Sequence, residues 1–550
     1  IKTHIKLKKL TLLVICIKFV VMQLSAQTIF ENYRSEVYPF LNRMAQKGLI
    51  DFNDIIQPIT RTHINEALIT LKDKSVQLSL TEQKELNFYL EEFTPTKDTN
   101  NQLRFFKKDI NKRWRSVQIQ SKDFNVNADP IIGIASFSND GKSIQQVSNG
   151  MDVWGTIGEK KQWGYQLYYR DYTETGNVNH NIYNESTETG RILVGTNNDH
   201  QINFSEIRAN LSYTWKNGAI SFGKDNVTWG YGESGKIVLS DKAPSYPYLK
   251  LDYAPLNWLS FNYMHAWLNS NLVDSNLSYN TYTEGVSGDV RVLFIQKYLA
   301  IHSILFKPMN GLNIAIGESI VYSDQLDPGF FIPINLFKIY DNNHSNYSIN
   351  AGSNGQIFLQ LSSRNQIKKT HLYTTTFIDE IRVAEVFNKL KSRNQLGYTI
   401  GGSVTDLLIP YLTMGAEYTR VNPFVYNNLI PAQTYSSYNY SLGDWMGNNF
   451  DRKILFLKYT PLPKLKLYAR YQAIRKGGAG TIVQQYTAEP QPSFLFDYLK
   501  DRKDFYLQAT YEWMHNVYLR TSAQWEKQEF ANGLTTNNTS YSLGVSFGLP

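Results

Sequence analysis

The sequence predicts an all-β, antiparallel transmembrane barrel of about 18 strands with a small N-terminal α-helical subdomain. Two observations carry that prediction. From about residue 101 to the end, apolar and polar residues alternate with a period of two in segments of about ten residues. The connections between these segments also alternate between short and long. Short turns fall at 159–162, 216–218, 254–257, 307–311, 460–464 and 513–516, and long polar connections at 173–205, 224–246, 269–296, 323–354, 420–451 and 475–502. A soluble sandwich has no reason to sort its loops this way, whereas a membrane barrel has short turns at one end and long loops at the other. Two soluble β-domains are the disfavoured alternative.

Composition agrees with a barrel. The chain has 550 residues with 37 Tyr and 10 Trp, yet its mean hydropathy is −0.37. An aromatic-rich chain that is not hydrophobic overall fits a surface on which apolar and polar residues alternate. In "YLKLDY", Tyr248, Lys250 and Asp252 share one strand face and Leu249, Leu251 and Tyr253 the other. A lumen takes the polar set and outer-membrane lipid the apolar set. Girdles of Tyr and Trp at the membrane boundaries account for much of the aromatic excess. Since no water reaches strand edges in a bilayer, the sheet must close, and closure by one antiparallel chain favours an even strand number.

Residues 1–26 read as a signal peptide: Lys2, Lys6, Lys8 and Lys9, an apolar run from Leu10 to Val21 and small residues Ser25 and Ala26. Cleavage after Ala26 is expected. The only cysteine, Cys16, lies in that apolar run, so the mature chain is expected to form no disulfide or thiolate site. Removing the five lysines before Gln27 from the formal charge of +8 leaves +3, which gives no support to a nucleic-acid partner.

Residues 27–100 read as helical. Val37, Phe40, Leu41 and Met44 recur at helical spacing before Gly48, a natural C-terminal cap. Thr60 can cap a second helix bearing Ile64, Ala67, Leu68 and Leu71. Ser79 stands three residues before Glu82, the spacing of a capping box, ahead of Leu86, Tyr89, Leu90 and Phe93. Three short helices form a marginal unit alone and are steadier docked on a larger body. Residues 101–550 are assigned to the barrel.

Several blocks carry a family resemblance. "VYPFLNRMAQKGLI" with "PITRTHINEAL", then "FGKDNVTWGYGESGKIVLSDKAPSYPYLKLDY", "KYLAIHSILFKPMNGLNIAIGESIVYSD", "LYTTTFIDEIRV" and "YSLGDWMGNNFD" resemble, in order, blocks of the outer-membrane capsule-assembly Wzi family in its Bacteroidetes form. Tyr231 stands where that family more often has proline. The resemblance runs from about Tyr33 to the C-terminus. It implies about 18 strands and a periplasmic, S-layer-homology-like helical unit. It also implies a non-enzymatic, lectin-like role in organising capsular or other surface polysaccharide at the outer membrane of a Gram-negative bacterium. Peptidoglycan or envelope proteins are the partners open to the helices.

Glycan capture needs aromatic faces for sugar CH surfaces and amides, carboxylates or cations for hydroxyls and uronates. Two segments offer such sets: Trp229, Tyr231, Glu233 and Lys236, and Asp444, Trp445, Asn448, Asn449 and Arg452. The plain readings beside these are a rigid corner packed in the barrel mouth and a solvated loop. The glycines of "WGYGESGK" form no phosphate cradle, because no GK[ST] follows. His302 and Ser303 are adjacent in a strand and point to opposite faces, so they assemble no catalytic pair. Glu318, Asp379 and Glu380 read as lumen-facing polar residues. No metal-ligand spacing appears among the nine histidines, and no cofactor or enzymatic activity is expected. A small-solute channel and a scaffold for envelope or secretion machinery are the alternative functions.

Overall fold

The computed structural model describes residues 29–549 apart from 96–100, 110, 159–160, 178–184, 196, 199, 282–289, 345–351, 382, 386 and 389–392. The expected signal peptide and Cys16 lie outside the described residues.

Eighteen antiparallel strands close into a barrel: β1 Phe124–Asn139, β2 Lys142–Ile157, β3 Trp163–Gly176, β4 Gln201–Trp215, β5 Gly218–Asp225, β6 Tyr246–Leu256, β7 Leu259–Val273, β8 Phe294–Met309, β9 Leu312–Ser323, β10 Asn354–Arg364, β11 Thr370–Ile381, β12 Asn394–Thr405, β13 Leu412–Val421, β14 Phe450–Leu462, β15 Leu465–Lys476, β16 Lys500–Met514, β17 Val517–Phe530 and β18 Thr535–Phe547. Each pairs with the next, and β18 returns to β1 with Phe547 opposite Ile132 and Ser540 opposite Asn139. The period-two pattern places Ile132 and Ile134 of β1 and Leu543 and Val545 of β18 on the exposed outer wall. Tyr248 and Lys250 face inward and are buried, as the alternation predicts.

Two connections at the long-loop end are short, which the strict sorting did not anticipate. Asp140 and Gly141 join β1 to β2 with positive φ at both residues, the geometry of a type I′ hairpin, and residues 531–534 join β17 to β18. The stretch 101–123 is also not part of the closed circuit. It forms a hairpin, Gln102–Lys108 with Trp114–Gln120, whose second strand pairs only with Asn125 to Ala128 at the foot of β1. β18 already occupies the rest of that edge, so the hairpin extends the wall at the short-turn end.

Three helices form where the spacing predicts them: α1 Val37–Gln46, α2 Arg61–Asp73 and α3 Leu80–Phe93. Gly48 ends α1 at φ +76°, and a Cβ there would come within 2.1 Å of the Asn365 side chain in the β10–β11 turn. Thr60 caps α2, and Ser79 with Glu82 closes the capping box of α3. Their apolar faces share one core that includes Phe40, Met44, Leu68, Leu86 and Phe93.

This unit docks at the short-turn end. The Gln46 amide donates to Ser403 O at 2.8 Å, Phe88 stacks on His515 at 4.1 Å, and the Glu85 carboxylate takes both Arg43 and Lys466. Asp54 pairs with Arg364 at 2.5 Å. Such contacts supply the burial that three short helices lack alone.

Candidate functional site: a plugged lumen with a polar cavity

The connection between β5 and β6, residues 226–245, turns into the lumen instead of staying at the rim. Its two-residue strand Thr228–Trp229 pairs with Ile56–Gln57 of the helical unit, and the Gly230 N–H donates to Ile55 O at 2.7 Å. The Tyr231 hydroxyl donates to Asp54 Oδ1 at 3.0 Å. A segment from the long-loop end therefore meets one from the short-turn end inside the barrel. The connection between β13 and β14 folds in beside it: Tyr426 and Tyr435 donate to the carbonyls of Ile237 and Val238 at 2.7 and 2.8 Å. Together they form an apolar plug with Trp229, Val238, Leu239 and Leu442 at its centre, packed on the inner faces of Leu299, Ile301 and Phe358.

The residues singled out for glycan contact lie in this plug. Trp229 is fully buried, edge-on to Phe358 at 6.3 Å, and Tyr231 is buried against Arg364 and Asp54. Glu233 accepts from Lys458 at 2.8 Å, and Lys236 donates to Thr228 Oγ1 at 2.7 Å. Asp444 and Arg452, both wholly buried, form a two-pronged pair at 3.0 and 2.7 Å. The Trp445 indole N–H donates to Ser234 O at 2.6 Å. Asn449 ties the carbonyls of Gly478 and Phe496 to the Leu495 N–H, and Asn448, also buried, accepts from Lys476 at its carbonyl. The two sets thus meet each other, and their aromatic faces are turned to protein. The expectation of 224–246 as a long polar connection at the long-loop end is corrected accordingly: its aromatic and aliphatic residues descend into the lumen, where they are buried.

The plug leaves one side of the lumen open. A cavity of about 750 Å³ lies against β1–β4 and β16–β18 and extends to loop residues 185–192 at the long-loop end. Its walls are polar and aromatic. Tyr172 and Phe204 stack at 4.6 Å, and Arg191 lies over the Phe204 ring at 4.1 Å while pairing with Glu174 at 2.7 Å. Arg502 pairs with Glu526 at 2.7 Å, and Arg170 donates to Ser148 Oγ at 2.9 Å. Arg520 is different. Among the described residues its guanidinium has no ion pair and no hydrogen bond, and its Nε is buried without a partner. Opposite it in register on β18 stands Gly544, next to Ala135, so on that side it faces nothing larger than a methyl group.

Sequence reasoning passed over these groups because they are spread across seven strands and form no local motif. The inward phase of each strand was the available signal.

With this geometry in view, comparison with known proteins is informative about fold. The chain has the fold of an outer-membrane β-barrel. It is similar to Wzi of Escherichia coli, an outer-membrane protein involved in group 1 capsule assembly and described as a carbohydrate-binding β-barrel, with a TM-score of 0.59, 13% identity, and 95% of this chain and 99% of that chain covered. OccK3 and OprD of Pseudomonas aeruginosa align less well. Their TM-scores are 0.41 and 0.39 at 12% identity, covering 77% and 82% of this chain and 95% and 98% of theirs. No family model matches the chain, and no curated protein matches it in sequence.

His302 faces outward and Ser303 inward, so the two cannot cooperate. Asp379 faces the plug, accepting from the Tyr426 N–H at 2.7 Å. The expectation that Glu318 faces the lumen is overturned. It shares the outer face of β9 with exposed Ile316, and a segment folded over the outside of the wall covers it.

Proposed function

We propose that this chain is a non-enzymatic outer-membrane protein that binds or organises surface polysaccharide, with its long-loop end outside the cell and its helices in the periplasm. The plug is the observation that carries the proposal. A lumen crossed by Thr228–Trp229 paired to Ile56–Gln57 is poorly suited to passing solutes, while the cavity beside it is shaped for holding a ligand from the long-loop side. Stacked aromatics, amides and arginines around about 750 Å³ match the chemistry of sugar recognition and leave room for a few sugar residues. The likeness to a carbohydrate-binding barrel is consistent with this reading.

Deleting the gene should leave polymer synthesis intact and move polysaccharide from the cell-bound to the released fraction. Unchanged retention would overturn the proposal. The channel alternative predicts something else: stable ion conductance of the purified protein in planar bilayers and slower small-solute uptake in the deletion strain.

A further inference from the structure

After β9, residues 328–344 of the connection to β10 lie against the outside of the barrel. On β8, Ile304 and Phe306 are exposed on the outer wall, and Tyr298, Ala300 and His302 share their face because alternate residues point the same way. On β9, Ile316 is 51% exposed, and Glu318, Ile320 and Tyr322 share its face. Yet these six residues are buried. The opposite faces of the same strands, with Leu299, Ile301 and Val321, pack on the plug, so the lumen is not what buries them.

They are covered by a strap comprising the helical turn Pro328–Phe331 and the helix α4, Phe337–His344. Phe330 and Phe337 pack among Tyr263, Tyr298, Ile320 and Tyr322. Phe331 stacks on His265 at 4.0 Å and Phe337 on His302 at 4.4 Å.

The wall also satisfies the strap's backbone. Tyr263 donates its hydroxyl to Phe330 O at 2.8 Å, and His302 Nδ1 donates to Pro333 O at 2.7 Å. Glu318 accepts the N–H groups of Phe337 and Lys338 at 2.6 and 3.3 Å, placing a carboxylate on the N-terminus of α4, and its Oε1 lies 3.1 Å from His302 Nε2. Polar side chains on an outward face are costly against lipid. Here each meets a group of the strap, and non-helical backbone survives at membrane depth only when it is satisfied in this way.

The strap's other side is largely apolar, with Lys338 exposed among its apolar residues, and is uncovered by any of the described residues. Ile334 is 80% exposed, and Ile332, Leu336 and Ile339 are each more than half exposed. In water, such a cluster on a surface otherwise tied down by hydrogen bonds would be a liability. It is continuous with the outer band of Ile304, Phe306, Ile316 and Ile357 that faces lipid. The strap hangs from the long-loop end and reaches Glu318, five residues below Ser323, or about 16 Å along a tilted strand. We propose that it is a membrane-embedded element of the outer leaflet, with its aromatic rings turned to the wall and Ile332, Ile334, Leu336 and Ile339 in contact with acyl chains.

The sequence has one cysteine, so nitroxide labels can be placed singly on the full-length protein in a Cys16→Ser background. The labelled variants would be Ile334→Cys and Ile339→Cys, with Leu543→Cys on the outer wall and Asn276→Cys in an exposed loop as references. In phosphatidylcholine vesicles the two strap labels should match Leu543→Cys, relaxing with oxygen and shielded from a water-soluble nickel chelate, with an oxygen-to-nickel ratio several-fold above that at Asn276→Cys. Adding Glu318→Ala should release the strap and lower that ratio at both strap positions while leaving Leu543→Cys unchanged. A ratio like that of Asn276→Cys in the parent protein would overturn the proposal. So would exclusion of both reagents with dipolar broadening between labels, which would mark a second copy of the chain as the cover.

Discussion

Asp54 Oδ1 accepts the Tyr231 hydroxyl at 3.0 Å and Arg364 Nη2 at 2.5 Å, so one carboxylate joins the descending loop, the helical unit and the barrel wall. The plug is therefore tied to both the helical unit and the barrel wall through one side chain. Tyr231→Phe removes one neutral arm, because Asp54 keeps Arg364 and the Asn42 amide. The expected loss is about 1 kcal/mol. Trp229→Ala empties the plug's centre and should cost about 3–5 kcal/mol. Thermal unfolding of the purified protein should show that order, and Trp229→Ala alone should raise conductance in planar bilayers.

The same carboxylate sets an acid limit. Burial, the largest influence on Asp54, pushes its pKa up, but the charge and hydrogen bond of Arg364, with His371 and Asn42, outweigh it and bring the group from its ordinary 3.8 to about 2. A group held lower when docked than when free stabilises docking fully above about pH 4, and that contribution fades as the pH falls through about 2. Glu92, which burial pushes up but Arg113, Arg115 and Arg61 hold down more strongly, acts in the same direction. Glu31, pushed up by burial, acts oppositely. Amide hydrogen exchange of α1 and of residues 51–60, corrected for intrinsic rate, should rise between pH 4 and 2. In Asp54→Asn the rise should flatten and protection should already be lower at pH 7.

The strand pattern was legible because each strand repeats one physical demand, lipid on one side and lumen on the other, over ten or more residues. The helices were legible from caps: Thr60, Ser79 with Glu82, and Gly48 each satisfy or terminate a backbone end locally. The plug was not legible. A loop rich in Trp, Tyr and Gly has the same composition whether it lines a mouth or fills a lumen, and the partner that decides, Ile56–Gln57, lies about 170 residues earlier. The strap was hidden for a related reason: "FFIPINLFKIY" alternates only over the five residues from Ile332 to Leu336, too short to set it apart from a loop, and Glu318 looks inward only while nothing is known to cover the outer wall. The Asp140-Gly141 turn, by contrast, carried a readable hairpin signal that the expected sorting of short and long loops obscured.

Asp444 and Arg452 test how strongly the second inward loop holds the plug. Both are fully buried, so removing one leaves the other charge without its partner. Asp444→Ala or Arg452→Ala should each cost about 3–5 kcal/mol, and the pair Asp444→Asn with Arg452→Met much less than the sum. Gly235→Ala should behave like a single variant, because its Cβ would lie 2.4 Å from Asp444 Oδ2. Loss of heat-modifiable mobility on gels as temperature rises would rank them.

Arg520 separates binding from folding. Lacking an ion pair or hydrogen bond among the described residues, it has little to lose on truncation, so Arg520→Ala should leave thermal stability within about 0.5 kcal/mol of the parent. Arg502→Ala, which forfeits Glu526 and Asp504, should be measurably less stable. If the cavity holds polysaccharide, Arg520→Ala should weaken binding of polymer purified from the same cells. For an acidic polymer, that loss should shrink as salt rises, because the missing contact is electrostatic. Equal binding by Arg520→Ala and parent at low salt would mean that the open space before Gly544 is not where the polymer sits.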